Sequence, residues 1–271
     1  MSLSIDRKTA IVTGAANGIG LAIARHFVEC GANVVFADID EDRLEAEVGA
    51  EARKEGPVRL FAGDLRERLT IANLLSATID AFDRVDILVN ASRQCAQADP
   101  MAQDDSAVRE MLEQNLFTSL RLSQAVAKRM IAQANGSDND TLRANNGAIV
   151  NLSSIAARRI RPEMMGYAIA MAAVEQATRS LAVALAPHRI RVNAVAFGSV
   201  MSASLQDHIR ENGEARSEIR DATPLGRIAA ASEVAEAAQF LASGGARFIT
   251  GQVLVVDGGR TLVDPVTTPA H

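Results

Sequence analysis

The residues whose types and spacing point first to chemistry are Thr13-Gly14-Ala15-Ala16-Asn17-Gly18-Ile19-Gly20. They follow an apolar run, Thr9-Ala10-Ile11-Val12, that reads as a buried strand, and lead into Leu21 to Val28, which reads as a helix. A glycine-rich turn between a strand and a helix lets the backbone approach a diphosphate. It also aims the free N–H groups and partial positive charge of the helix N-terminus at that diphosphate. Alone, the pattern is better read as an ordinary tight turn, but three further features agree with the nucleotide reading. Asp38 ends a second apolar run at 33–38, where a carboxylate accepts hydrogen bonds from both hydroxyls of an adenosine ribose. A carboxylate there repels a 2′-phosphate, and no arginine occupies 15–17 to attract one, so NAD is expected ahead of NADP. Asp64-Leu65 ends a third run, where an aspartate can bond an adenine amino group. Asn90-Ala91 ends a fourth, beside the expected path of the dinucleotide.

The elements that must position these groups alternate along the chain. Strands are expected near 8–13, 33–38, 58–62, 86–90, 148–152, 190–195 and 252–256. Helices are expected near 18–30, 41–55, 66–82, 104–133, 164–186 and 232–242. A polar loop is expected at 134–140, and a mixed polar segment at 197–226 reads as a mobile cover over the substrate. Such alternation implies crossover units and a Rossmann-like, doubly wound parallel sheet of about seven strands with helices on both faces, an α/β fold. Ligands in such sheets bind beyond the carboxyl ends of the strands, where the motifs above fall. The chain, 1–271, reads as one domain, with 260–271 as a short tail that is loose or crosses onto a partner subunit.

Composition narrows the class. The chain has 271 residues, 48% apolar and 23% charged, enough for one large core. A net charge of −5 leaves no basic excess for a nucleic-acid partner. Cys30 and Cys95 give no disulfide framework, and Met1 to Arg7 lack a leader pattern, so the expectation is a cytoplasmic protein. The stretch at 167–186 is apolar but interrupted by Glu175, Gln176 and Arg179, so no membrane span is expected. No metal is expected. Lysine occurs only at Lys8, Lys54 and Lys128 among the 28 basic residues; the rest are arginine.

Thr-Gly-x-x-x-Gly-x-Gly, an acidic residue after the second strand and Asp-Leu after the third resemble the short-chain dehydrogenase/reductase family. Ile190-Arg191-Val192-Asn193-Ala194-Val195, Ile249-Thr250-Gly251-Gln252 and Val256-Asp257-Gly258-Gly259 extend the resemblance over nearly the whole chain. It implies hydride transfer between a nicotinamide and an alcohol or carbonyl carbon. Tyr167, the only tyrosine, would be the acid/base, Ser154 would orient the substrate oxygen, and Asn115 would be the helix asparagine that holds a water. The glycine-loop residues Gly14, Asn17, Gly18, Ile19 and Gly20 would hold the dinucleotide, with Asp38, Asp64, Leu65, Asn90, Ala91, Tyr167, Gly198 and Ser202. It also implies a homotetramer or homodimer built through the helices at 104–133 and 164–186.

The chain departs from the family pattern at several places. Four residues after Tyr167 the family has a lysine that binds the nicotinamide ribose and lowers the tyrosine pKa; here Met171 stands on that face of the helix. Methionine has neither charge nor donor. The seven-residue spacing of enoyl reductases fails too, since that position is Val174. Arg158, Arg159 and Arg161 are candidate sources of positive field, though solvated loop arginines is the favoured reading. The fourth-strand motif, usually Asn-Asn-Ala-Gly, is Asn90-Ala91-Ser92-Arg93, and the usual Pro-Gly after the sixth strand is Phe197-Gly198. Two readings follow. One is an NAD-dependent oxidoreductase slowed or altered by Met171, favoured because Tyr167, Ser154 and Asn115 are kept. The other is a dinucleotide-binding protein without turnover. The lining of segments 92–103, 155–166 and 197–226 suggests an apolar substrate pocket, with arginines for an anionic group.

Overall fold

Short runs of β-branched and other apolar residues, most of them buried along their length, build the centre of the computed structural model, which describes residues 3–135, 146–264 and 266. Among the described residues these runs form seven parallel strands: β1 (Thr9–Thr13), β2 (Asn33–Asp38), β3 (Val58–Ala62), β4 (Ile87–Asn90), β5 (Gly147–Ser154), β6 (Ile190–Phe197) and β7 (Val253–Val256). Their order is β3-β2-β1-β4-β5-β6-β7. The strand order therefore reverses between β1 and β4, where Val12 pairs with Val89, and the crevice at that switch point is where such folds bind ligands.

Helices cover both faces. α1 (Gly18–Glu29) and the helix Ala231–Ala242 lie on one side, where Ile23, Phe27, Val234 and Leu241 bury against β1, β2 and β5. On the other side lie Arg68–Phe82, a helix over 106–135 and Met165–Leu185, with Leu74, Leu122, Met130 and Ala182 in a second core. At about 25 cal/mol per Å² of apolar area removed from water, these two layers supply the main drive for folding. The motif arginine Arg191 is part of this scaffold. Buried in β6, it donates to the carbonyls of Leu241 (2.6 Å), Ala242 (3.2 Å) and Ser243 (3.1 Å), satisfying the end of the helix Ala231–Ala242. Burial lowers its pKa to about 10.

The strand and helix positions agree with the expected ones to within a few residues, with three differences. The segment at 197–226 is not a bare cover. It carries the helices Ala203–Glu211 and Ala215–Asp221, and its base is tied down by a bridge between Val200 and Ala229. The helices at 41–52 and 106–135 each contain a π-helical stretch, at Glu45–Gly49 and Leu112–Phe117, a local widening that apolar periodicity does not reveal. Finally, Pro162–His188 is long and apolar enough to cross a membrane by length and composition, contrary to expectation. Here it packs on the sheet, with Tyr167, Ala170, Met171, Val174 and Glu175 buried. Most of the polar loop expected at 134–140, and half of the tail at 260–271, lie outside the described residues.

Candidate active site

A cleft of about 760 Å³ opens at the switch point. Its floor begins at the glycine loop. Gly14 and Gly18 both have positive φ, +66° and +56°, a conformation costly for residues with a Cβ. A Cβ on Gly14 would meet the backbone of Ser92 at 2.8 Å, and one on Gly20 would run into the carbonyl oxygen of Gly14. The loop therefore packs backbone on backbone, leaving the first turn of α1 facing the cleft. Asn17 precedes that helix without a side-chain cap, so its leading N–H groups are not spent on a side chain of its own.

Asp38 lies at the end of β2, half-buried. Its Oδ2 accepts from the Ala16 N–H at 2.9 Å and its Oδ1 from the Asp40 N–H at 3.1 Å. A carboxylate has about four acceptor positions, so two remain for a ligand. Asp64 is more fully engaged. Arg66 donates to it through its backbone N–H, Nε and Nη2, the last at 2.6 Å. This pairing holds the Asp64 carboxyl below its ordinary range and uses most of the acceptor capacity expected for an adenine. Leu65 and Ala91 line the cleft, as do Ile19, Gly198 and Ser202. Ser202 starts the helix Ala203–Glu211 and accepts from the Leu205 N–H at 3.3 Å.

Two expected site residues face elsewhere. The Asn90 amide turns into the core, donating to Ser123 Oγ (2.9 Å) and Asn151 Oδ1 (2.8 Å); Asn151 in turn donates to Thr178 Oγ1 at 2.9 Å. This closed buried network fixes the ends of β4 and β5. Asn115, on the π-helical turn, grips the loop after β4. Its Oδ1 accepts from the Gln94 N–H (2.8 Å) and its Nδ2 donates to the Gln94 carbonyl (3.0 Å).

Tyr167 and Ser154 both line the cleft. Ser154 closes β5, and its Oγ accepts from the Ala156 N–H at 3.2 Å. The Tyr167 ring is 2% exposed and belongs to an apolar cluster with Met111, Ala170, Met171 and Val174. Met171, 1% exposed, is part of that cluster and brings no charge. The residue that sequence reasoning missed is Arg93. Its Nη1 donates to Tyr167 Oη at 2.8 Å, and its guanidinium lies 4.2 Å from the centre of the Phe197 ring. The signal was present as three separate departures, at 93, 171 and 197, that nothing in linear spacing joins. Arg158, by contrast, pairs with Glu175 at 3.2 Å, and Arg161 with Glu163 at 2.8 Å.

A parallel sheet with this switch-point cleft, a glycine loop, an acidic residue after β2 and a tyrosine–serine pair defines a class of dinucleotide-dependent oxidoreductases. Comparison with known proteins agrees. The family model described as enoyl-(acyl carrier protein) reductase matches residues 14–261. Cis-4-hydroxycyclohexanecarboxylate dehydrogenase of Sinomonas cyclohexanicum is 37% identical over 268 residues, 97% of this chain and 100% of that protein. Among solved structures, a 7α-hydroxysteroid dehydrogenase complexed with NADH and 7-oxo glycochenodeoxycholic acid is 32% identical. It has a TM-score of 0.84 and covers 95% of this chain and 96% of its own. A gluconate 5-dehydrogenase from Burkholderia cenocepacia J2315, in complex with NADP and tartrate, is 27% identical with a TM-score of 0.85, covering 97% and 98%. The chain belongs to the short-chain dehydrogenase/reductase family, whose members are NAD(P)-dependent oxidoreductases acting on CH–OH groups.

Proposed function

We propose that this chain oxidises a secondary alcohol, or reduces the corresponding ketone, with NAD as its preferred cofactor and Tyr167 as the group that moves the proton. The observation carrying this reading is that Tyr167 and Ser154 line the same cleft as the glycine loop and Asp38. That cleft fits a dinucleotide on its own terms: close backbone packing at Gly14 and Gly20 leaves the first turn of α1 facing the cleft, and beside Gly18 nothing stands within 4 Å of where a Cβ would be. When bound, the nicotinamide supplies or accepts the hydride. Tyr167 Oη gives its proton to the substrate oxygen in reduction and takes it back in oxidation. Ser154 Oγ donates to that same oxygen and fixes its direction. Asp38 accepts from the ribose hydroxyls and repels a 2′-phosphate, which favours NAD.

The apolar parts of the cleft wall, Met164, Phe197, Val200 and Leu205, suit a cyclic or otherwise bulky alcohol. The assembly we propose is a homotetramer or homodimer in the cytoplasm. One observation favours a second reading, a dinucleotide-binding protein without turnover. Met171 leaves no cation on the helix turn next to Tyr167. Turnover of a panel of cyclic secondary alcohols with NAD separates the two. The enzyme reading expects Tyr167→Phe to reduce kcat by about 10²–10⁴-fold while NAD affinity stays within a few-fold. A wild-type protein that binds NAD but turns over no member of the panel, in either direction, supports the silent reading.

A further inference from the structure

Arg93 stands on the loop after β4 and lines the cleft. That loop is held from two sides. Thr13 Oγ1 accepts from the N–H groups of Ala91 and Ser92, both at 3.0 Å, and the Asn115 amide grips both backbone groups of Gln94. The guanidinium is thereby aimed, rather than left to wander. It is seated on the face of the Phe197 ring and donates to Tyr167 Oη at 2.8 Å.

Among the described residues no carboxylate pairs with Arg93. The carboxylates on neighbouring elements have other partners: Glu175 with Arg158 and Arg179, Glu163 with Arg161, and Glu110 with the Gln94 side chain. The cation is therefore not neutralised by a protein anion, and an arginine keeps its charge at every working pH. A phenol that must alternate between protonated and ionised forms, on a buried ring, needs such a charge at its oxygen. Arg93 is also the one cationic side chain hydrogen-bonded to Tyr167 among the described residues.

We propose that Arg93 is a catalytic residue: it supplies from the β4 loop the positive charge at Tyr167 Oη that position 171 lacks, with Phe197 as the ring that seats it. The departures at 93, 171 and 197 are then one exchange of parts. Arg93 donates one hydrogen bond to the phenolic oxygen throughout and gives up no proton itself. This rests on the reading of Tyr167 as the proton-moving group, and it adds the source of the charge that makes that group competent.

The chain holds one tyrosine and no tryptophan, so the ultraviolet band of phenolate reports Tyr167 alone, without cofactor or substrate. The test is an absorbance titration of wild type, Arg93→Met and Arg93→Lys, with kcat and KM measured beside it. In Arg93→Met the phenolate band should appear at higher pH than in wild type, and in Arg93→Lys it should move back toward wild type. For Arg93→Met, kcat should fall by about a hundredfold, with KM for NAD changed only a few-fold. An unmoved titration overturns the proposal. So does Arg93→Met turning over as fast as wild type or faster, which would make the arginine a plug in the nicotinamide end. Should Tyr167→Phe keep full activity, the reading of Tyr167 fails instead, and the titration still measures whether Arg93 and Tyr167 are coupled.

Discussion

The two ends of the cleft are built on different principles. At the glycine-loop end, contacts come from the backbone. Gly14 and Gly18 adopt positive φ, and the loop touches Ser92 main chain to main chain. At the reactive end, contacts come from side chains delivered by four separate elements: Arg93 from the β4 loop, Ser154 from β5, Tyr167 and Met171 from one helix, and Phe197 from β6. Backbone geometry admits few substitutes, so the first end keeps its glycines. A charge can be delivered to one oxygen from several directions, so the second end can exchange its parts.

That contrast can be broken or sharpened by substitution. Gly14→Ala should disturb the backbone-built end in both stability and binding. Gly14→Ala places a Cβ 2.8 Å from Ser92 backbone atoms at a φ of +66°. It should cost roughly 1–3 kcal/mol of stability and weaken NAD binding, seen together in thermal melts with and without NAD. A fully stable Gly14→Ala that binds NAD normally would remove the close-packing argument. Next is Asp38→Ala. Loss of a charge-assisted acceptor should weaken NAD by about 1.5–3 kcal/mol and narrow its advantage over NADP, read by titration calorimetry with both cofactors. The unchanged ratio would take Asp38 out of cofactor choice.

The smallest effect lies in the scaffold, away from both ends. Arg227 grips Glu233 with two hydrogen bonds, 2.6 and 2.7 Å, and lowers its pKa to about 2. A folded-state value lowered from the ordinary 4.5 means stabilisation that is complete above about 4.5 and lost as the pH falls through about 2. Because the pair is solvent-exposed, the gain is small. Glu233→Gln should lower Tm slightly at neutral pH, with the gap to wild type closing below pH 4.5. A gap that widens in acid would contradict the sign.

The same contrast explains what the sequence made legible. The glycine loop, the aspartate after β2 and the strand positions depend on local conformation and apolar periodicity, and the structure has them where the residues place them. Cleft positions for Tyr167 and Ser154 followed from the family pattern. The inward turn of Asn90 was not legible, because it depends on Ser123 and Asn151, distant in sequence. Nor was the grip of Asn115 on Gln94, which needs the π-helical turn to aim the amide. Arg93 was hidden for the same reason. Its partner lies 74 residues away, and a lost glycine says nothing about where the replacing side chain reaches.

The central claim is that the charge at the reactive end has moved from position 171 to position 93. The most direct measurement is the turnover of Met171→Lys placed in Arg93→Met, against Arg93→Met alone and wild type. If the two positions serve one oxygen, the lysine restores activity to the crippled variant and adds little to wild type. A lysine that raises wild-type turnover strongly, or that leaves Arg93→Met unimproved although the double variant folds and binds NAD, contradicts the claim.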